Sequence, residues 1–189
     1  MASARARGSI LTFARCSSFM AHAALRRGDL PAAEAHARAS VEATEGHRWF
    51  LRRMSTAWLV EALLDRGDLE AAAAALGAVD GDGELPDAMM THYLRFARAR
   101  LKAATGDLDG ALTDLYAFGT SPGSTFAGNP AAVPWRSAAA LVEHARGRTD
   151  RARDLVAEEL DRARGIASGR AAGVALRARG LLDLSLIHI

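Results

Sequence analysis

A six-residue phrase is written three times along this chain: GDLPAA at residues 28–33, GDLEAA at 67–72 and GDLDGA at 106–111. Successive copies stand 39 residues apart, and a weaker copy, GRTDRA, begins at Gly147, 41 residues after the third. A fixed period of this size marks a repeat architecture, in which one supersecondary unit recurs and each copy buries its apolar face against the next. No property averaged over the chain limits the fold as tightly.

Helical periodicity on both sides of the phrase says what the unit is. Before the first copy, Ile10, Phe13, Ala14, Ser17, Ala21 and Ala24 fall at steps of three and four; after it, Ala33, Ala37 and Val41 do the same. The phrase is thus a turn between two helices. Glycine at Gly28, Gly67, Gly106 and Gly147 supplies the left-handed residue that closes a helix C-terminus without a Cβ penalty. Asp29, Asp68 and Asp107, with Thr149 in the fourth copy, follow as N-caps for the next helix. These turn residues have a structural reason to recur, and no catalytic role is assigned to them.

The position five residues after each glycine is always alanine (Ala33, Ala72, Ala111, Ala152), and the position nine after is always apolar (Ala37, Leu76, Leu115, Val156). A small residue next to the turn lets the two helices approach closely. The expected fold is all-α: an α-solenoid of tandem helix-turn-helix hairpins, about four repeats plus a partial fifth. First helices are predicted over 8–27, 47–66, 87–105 and 134–146, second helices over 31–45, 69–78, 108–118 and 150–164, and a ninth helix from near Arg170. Two linkers, VDGDGELPD and GTSPGSTFAGNPAAVP, hold too much Gly and Pro for continuous helix.

Several function classes are excluded or disfavoured. A net charge of +2, with basic and acidic residues interleaved, is not a nucleic-acid footprint, and direct nucleic-acid contact is not expected. No apolar run is long enough to span a bilayer. The single Cys16 rules out an internal disulfide and is read as a core residue in a reducing, cytoplasmic setting. The opening segment lacks an acid before Asp29, as transit peptides do, but it runs directly into the first repeat, and Arg15 breaks any signal-peptide apolar core.

A phosphate-binding loop needs Gly-Lys-Ser/Thr, and the only lysine, Lys102, follows Leu101 in a helix. GTSPG at 119–123 spells a hydrolase nucleophile elbow, yet that motif requires a preceding strand and an N–H after the serine, where Pro122 has none. DGDGE at 80–84 lacks the ligand spacing of a calcium loop. His22, His36, His47, His92 and His144 form no metal-binding pair. The chain is expected to be non-enzymatic, with no catalytic, cofactor or metal site. What remains is surface: in stacked hairpins the first helices line a concave groove, where Arg52, Arg53, His92, Arg95 and Arg136 are candidate contacts, together with Trp49 and Trp135. The competing assignment for Trp49, Trp58 and Trp135 is packing between repeats.

The Gly-Asp-aliphatic phrase followed three residues later by Ala resembles tetratricopeptide-like repeats, although most copies lack the family's first-helix Trp and Tyr and exceed its usual ~34 residues. Over nearly the whole chain to Leu182 the sequence also resembles the central helical-repeat region of large actinobacterial LuxR-family transcriptional regulators. That likeness rests on GDLPAAEAHARAS, LVEALLDRGDLEAA, DGELPD, NPAAVPWRSAAALVEHARGRTDRARDLVAEELDRAR and GRAAGVALRARGLL, and it is most specific over 129–182. It implies a repeat domain over 1–182, a non-native tail over 183–189 (DLSLIHI) and a truncated fragment. It further implies a parent that binds ATP and DNA through domains outside this chain, with a protein or peptide, or the parent's other domains, as the partner. The alternative is a free-standing tetratricopeptide-like scaffold for a partner peptide or protein.

Overall fold

A computed structural model of the chain describes residues 8–45, 50–80, 85, 89–121 and 126–184. Among them are nine helices and no strand: α1 (Ile10–Arg27), α2 (Leu30–Ala43), α3 (Phe50–Asp65), α4 (Leu69–Asp80), α5 (Met89–Ala104), α6 (Leu108–Thr120), α7 (Trp135–Ala145), α8 (Thr149–Gly165) and α9 (Gly169–Leu184). The fold class is the all-α helical repeat of the solenoid type. No described helix is long and apolar enough to cross a membrane.

The turns explain why these helices stop and restart where they do. Gly28, Gly67, Gly106 and Gly147 have φ of +77°, +81°, +92° and +78°. In each turn the glycine N–H reaches the carbonyl three residues back, as in Gly67 to Leu64 at 3.0 Å, and the next N–H reaches the carbonyl five back, as in Asp68 to Leu63 at 2.9 Å. That double closure is the Schellman arrangement, and it satisfies carbonyls that a bare helix end leaves orphaned. The aspartates then cap as expected: Asp29, Asp68 and Asp107 accept from the N–H groups of Ala32, Ala71 and Gly110 at 3.2, 3.0 and 2.9 Å.

Two departures stand out. Thr149 is not the cap of α8: it is the helix's first residue, Arg148 before it makes no side-chain cap, and the Thr149 hydroxyl lies 3.2 Å from His144 Nδ1. A fifth turn of the same construction joins α8 to α9, with Ala167 at φ +51° in the glycine position, Ser168 N–H bonded to Ala163 O at 3.1 Å, and Ser168 Oγ accepting from Ala171 N–H at 3.3 Å.

The helices fall into two compact units, residues 1–101 and 102–189. In the first, α1 packs on α2 and α3, α2 on α3, and α3 on α4. Its core joins Leu51, Met54, Val60, Leu63, Leu94 and Leu101 with fully buried alanines, among them Ala14, Ala21, Ala37 and Ala57. One polar seam crosses it, where Ser40 Oγ lies 2.7 Å from both Ala14 O and Ser55 Oγ. In the second unit α6 packs on α7, α7 on α8 and α9, and α8 on α9. Trp135 lies against Gly119, where an added Cβ would stand 2.4 Å from the indole, and its Nε1 donates to Ala127 O at 2.9 Å.

The alanines five residues past each turn glycine are all completely buried, and the apolar residues nine past are at most 8% exposed. Ile10, expected on the buried stripe of α1, is 63% exposed, because no described element covers that first turn. Cys16, expected in the core, is only half-buried and is free.

The turn geometry yields a paired test. Gly67 has open space around it, so only its positive φ opposes a side chain, whereas Gly77 lies within α4 with nothing within 4 Å of an added Cβ. Gly67→Val should cost about 1 to 2 kcal/mol, while Gly77→Ala should stabilise by about 0.5 to 1 kcal/mol. Urea midpoints of the two variants check both signs.

Candidate interaction face

Counting back from the turn glycines shows which first-helix residues share a face. Arg15, Phe19, His22 and Arg26 stand 13, 9, 6 and 2 residues before Gly28; Met54, Trp58, Glu61 and Asp65 hold the same offsets before Gly67, and Tyr93, Ala97 and Arg100 the first three before Gly106. Steps of three and four keep each set on one stripe of its helix. Within the first unit these stripes meet.

The meeting is aromatic in its middle. The His22 imidazole stacks on the Trp58 indole with centroids 4.1 Å apart and planes 6° from parallel, and the Tyr93 ring tilts against Trp58 at 4.8 Å. Three successive first helices each contribute one ring to this row. Arg26 Nε donates to His22 Nε2 at 3.0 Å, so that ring nitrogen is an acceptor. Burial pushes the Tyr93 phenol up, with the Arg26 charge opposing. Trp58 is 7% exposed; Phe19, one turn from His22 on the same stripe, is 58% exposed.

An ion cluster borders the row. Arg100 on α5 bridges to α3, its Nη1 2.5 Å from Glu61 Oε2 and its Nη2 2.8 Å from Asp65 Oδ1. The Glu61 charge, and then Asp65, hold the guanidinium protonated well beyond its ordinary range despite burial.

The residues predicted from sequence are placed differently. Arg52 and Arg53 are half-buried in the first turn of α3, and neither has an ion-pair partner among the described residues. Arg95 is half-buried and donates to Leu85 O at 2.7 Å. His92 is completely buried and therefore not a surface contact. Arg136, in the second unit, is 6% exposed: it lies 4.4 Å over the Trp135 ring, donates to Ala127 O at 2.9 Å, and pairs with Glu158 at 2.9 Å. It holds α7 against α8 and presents nothing to a partner. Trp58 and Trp135 are packing residues; Trp49 lies outside the described residues. Ser121 follows the helix α6 with no strand before it, and residues 81–84 and 122–125 lie outside the described residues.

Two further polar groups in the second unit are perturbed. Tyr116 Oη donates to Glu143 Oε1 at 2.6 Å while Arg148 pairs with the same carboxylate, and burial followed by that hydrogen bond raises the phenol. Glu159 is completely buried, accepts from Ser137 N–H at 3.3 Å, and has Arg136 Nη1 3.9 Å away. Burial pushes its carboxyl up to about 7, against the pull of Ser137 and Arg136. Among the described residues no three His, Cys, Asp or Glu side chains gather as a metal site.

Comparison with known proteins gives one match. A family model described as tetratricopeptide repeat matches residues 14–39, 54–78 and 134–158. The matched repeats are tetratricopeptide-like. Each matched segment holds most or all of a first helix, its left-handed turn and the larger part of a second helix, so the tetratricopeptide-like pattern and the hairpin geometry coincide. No curated protein and no solved structure matches the chain.

A carboxyl raised from 4.5 to about 7 favours the folded state fully below pH ~4.5, and that contribution is lost as pH rises through 7. Glu159→Gln removes the burden of ionisation. It should raise stability by up to roughly 3 kcal/mol at pH ~8 and by little at pH ~4.5. Thermal denaturation of both proteins across that range measures the difference.

Proposed function

We propose that this chain is a non-enzymatic interaction or signal-transmission module, and that the first-helix face of its first unit holds the partner. Tetratricopeptide-like repeats of this all-helical kind are typically non-catalytic scaffolds for protein or peptide partners. The observation that carries the site is Phe19, 58% exposed on the first-helix stripe one turn from His22 and the packed ring row, because aromatic and arginine side chains clustered on one face are the usual anchors of an interface. Arg52, Arg53 and Arg95 enter this reading as contacts at its margin.

The resemblance to LuxR-type regulators supports a finer reading. The module passes a signal between a partner and the ATPase and DNA-binding domains of a longer protein, working in the cytoplasm without a cofactor of its own. A free-standing scaffold is the second reading, and the same face serves both. Sequencing the genomic DNA around the reading frame separates them. An in-frame Gly-x-x-x-x-Gly-Lys-Ser/Thr upstream with a helix-turn-helix downstream supports the regulator, and a frame without either supports the scaffold.

The site itself is tested by panning a random peptide library against the chain. Selected peptides should bind with Kd values of about 1 to 100 μM and weaken at least about tenfold on Phe19→Asp, with helicity by circular dichroism unchanged. Peptides indifferent to Phe19→Asp would place the interaction elsewhere.

A further inference from the structure

Helix α3 buries one face beneath the hairpin α1–α2. Ser55 Oγ lies 2.7 Å from Ser40 Oγ, Trp58 stacks on His22, and Ala62 packs with Ala24 and Ala33. Ser55, Trp58 and Ala62 stand 12, 9 and 5 residues before Gly67, and Leu59, 8 before it, is buried with them. The same four positions are buried in α5, as Leu94, Ala97, Arg98 and Leu101. In α1 they are Cys16, Phe19, Met20 and Ala23. There Phe19 is 58% and Met20 42% exposed, Ala23 is exposed and Cys16 is half-buried, and no described element covers the face. The face by which this repeat receives a neighbour is thus built in α1 and left open.

Resting on the assignment of Phe19 to the binding face, we propose that the partner lying on α1 is a second copy of this chain, seated through its own α1 in a two-fold antiparallel pair. A two-fold contact joins the same patch on both copies, so one apolar stripe serves as both halves. Centring the pair between Phe19 and Met20 sets Cys16 across from Ala23 and Arg27 across from Thr12. Within each hairpin Ser40 Oγ bonds Ala14 O, so the antiparallel α2 brings Glu42 beside Thr12. Arg27 of each copy therefore meets Glu42 of the other. Both are exposed and have no ion pair among the described residues, so the charges left over on one hairpin are matched by its copy. The centre of the pair buries an aromatic ring and a thioether from each side. Helix α9 also exposes leucines, Leu176, Leu181 and Leu184, and fits α1 less well. Its one carboxylate, Asp183, is paired with Arg179, which leaves nothing for Arg27.

Sedimentation equilibrium of the whole chain should show monomer and dimer exchanging with a Kd of about 1 to 100 μM. Phe19→Asp, with helicity by circular dichroism unchanged, should weaken the dimer at least about tenfold. Arg27→Glu and Glu42→Arg should each weaken it, and the two changes together should restore it, which keeps the test independent of how well Phe19→Asp folds. Cys16, the only cysteine, reports on the face itself. Its alkylation by iodoacetamide should slow at least about fivefold once the chain is concentrated well above the Kd, and should stay fast in Phe19→Asp. The α9 double variant Leu176→Asp, Leu184→Asp should leave the dimer unchanged. A chain that remains monomeric, a dimer indifferent to Phe19→Asp, a dimer lost with the α9 variant, or a charge swap that fails to restore association overturns the second copy as partner. If panned peptides still need Phe19 in any of those cases, the face stands without that partner. If neither association nor any peptide depends on Phe19, the face falls as well.

Discussion

The left-handed turn with its two hydrogen bonds is the constraint on which the remaining structure depends. Reversing a helix within two residues requires one of them to take a positive φ, which costs a residue with a Cβ roughly 1 to 2 kcal/mol. Four of the five turns use glycine for that residue. The fifth puts Ala167 there, held by both backbone bonds and by the Ser168 hydroxyl at the start of α9. The turn geometry thus belongs to the architecture, and glycine is its least costly occupant.

From the turn follows the spacing of the helices. An alanine five residues beyond each glycine is completely buried and brings the second helix close against the first. Close pairing within hairpins leaves room for successive first helices to touch, as α1 and α3 do. That contact sets His22 on Trp58, and α5 brings Tyr93 against Trp58 and Arg100 within reach of Glu61 and Asp65. The ring row therefore arises from backbone chemistry at the turns, some distance along the chain from the rings themselves.

The hairpins could be read in the sequence because their determinants recur at fixed offsets: Gly, Asp, Ala at five, an apolar residue at nine. Ala167 escaped because it breaks the glycine rule and starts a helix that follows α8 without a new period. The ring row escaped for another reason. His22, Trp58 and Tyr93 stand 6, 9 and 13 residues before their turn glycines, so the three rings of the row do not recur at one repeat position, and only the slant of contact between neighbouring helices brings them together. Position in a first helix was also too coarse a guide to exposure. His92 and Arg136 both lie in first helices, yet one is completely buried and the other is spent on Ala127 and Glu158. Arginine placed among buried carboxylates and carbonyls is a structural brace, and only its pairing distinguishes it from an arginine left for a partner.

Tandem turns place one ring from each of three first helices in a single row. Proton–proton Overhauser contacts between selectively labelled His22, Trp58 and Tyr93 rings test it most directly. Strong cross-peaks from the Trp58 indole to both His22 and Tyr93 are the expected result. An indole that shows neither contact, in a chain whose backbone shifts are helical over the nine segments, would contradict the account.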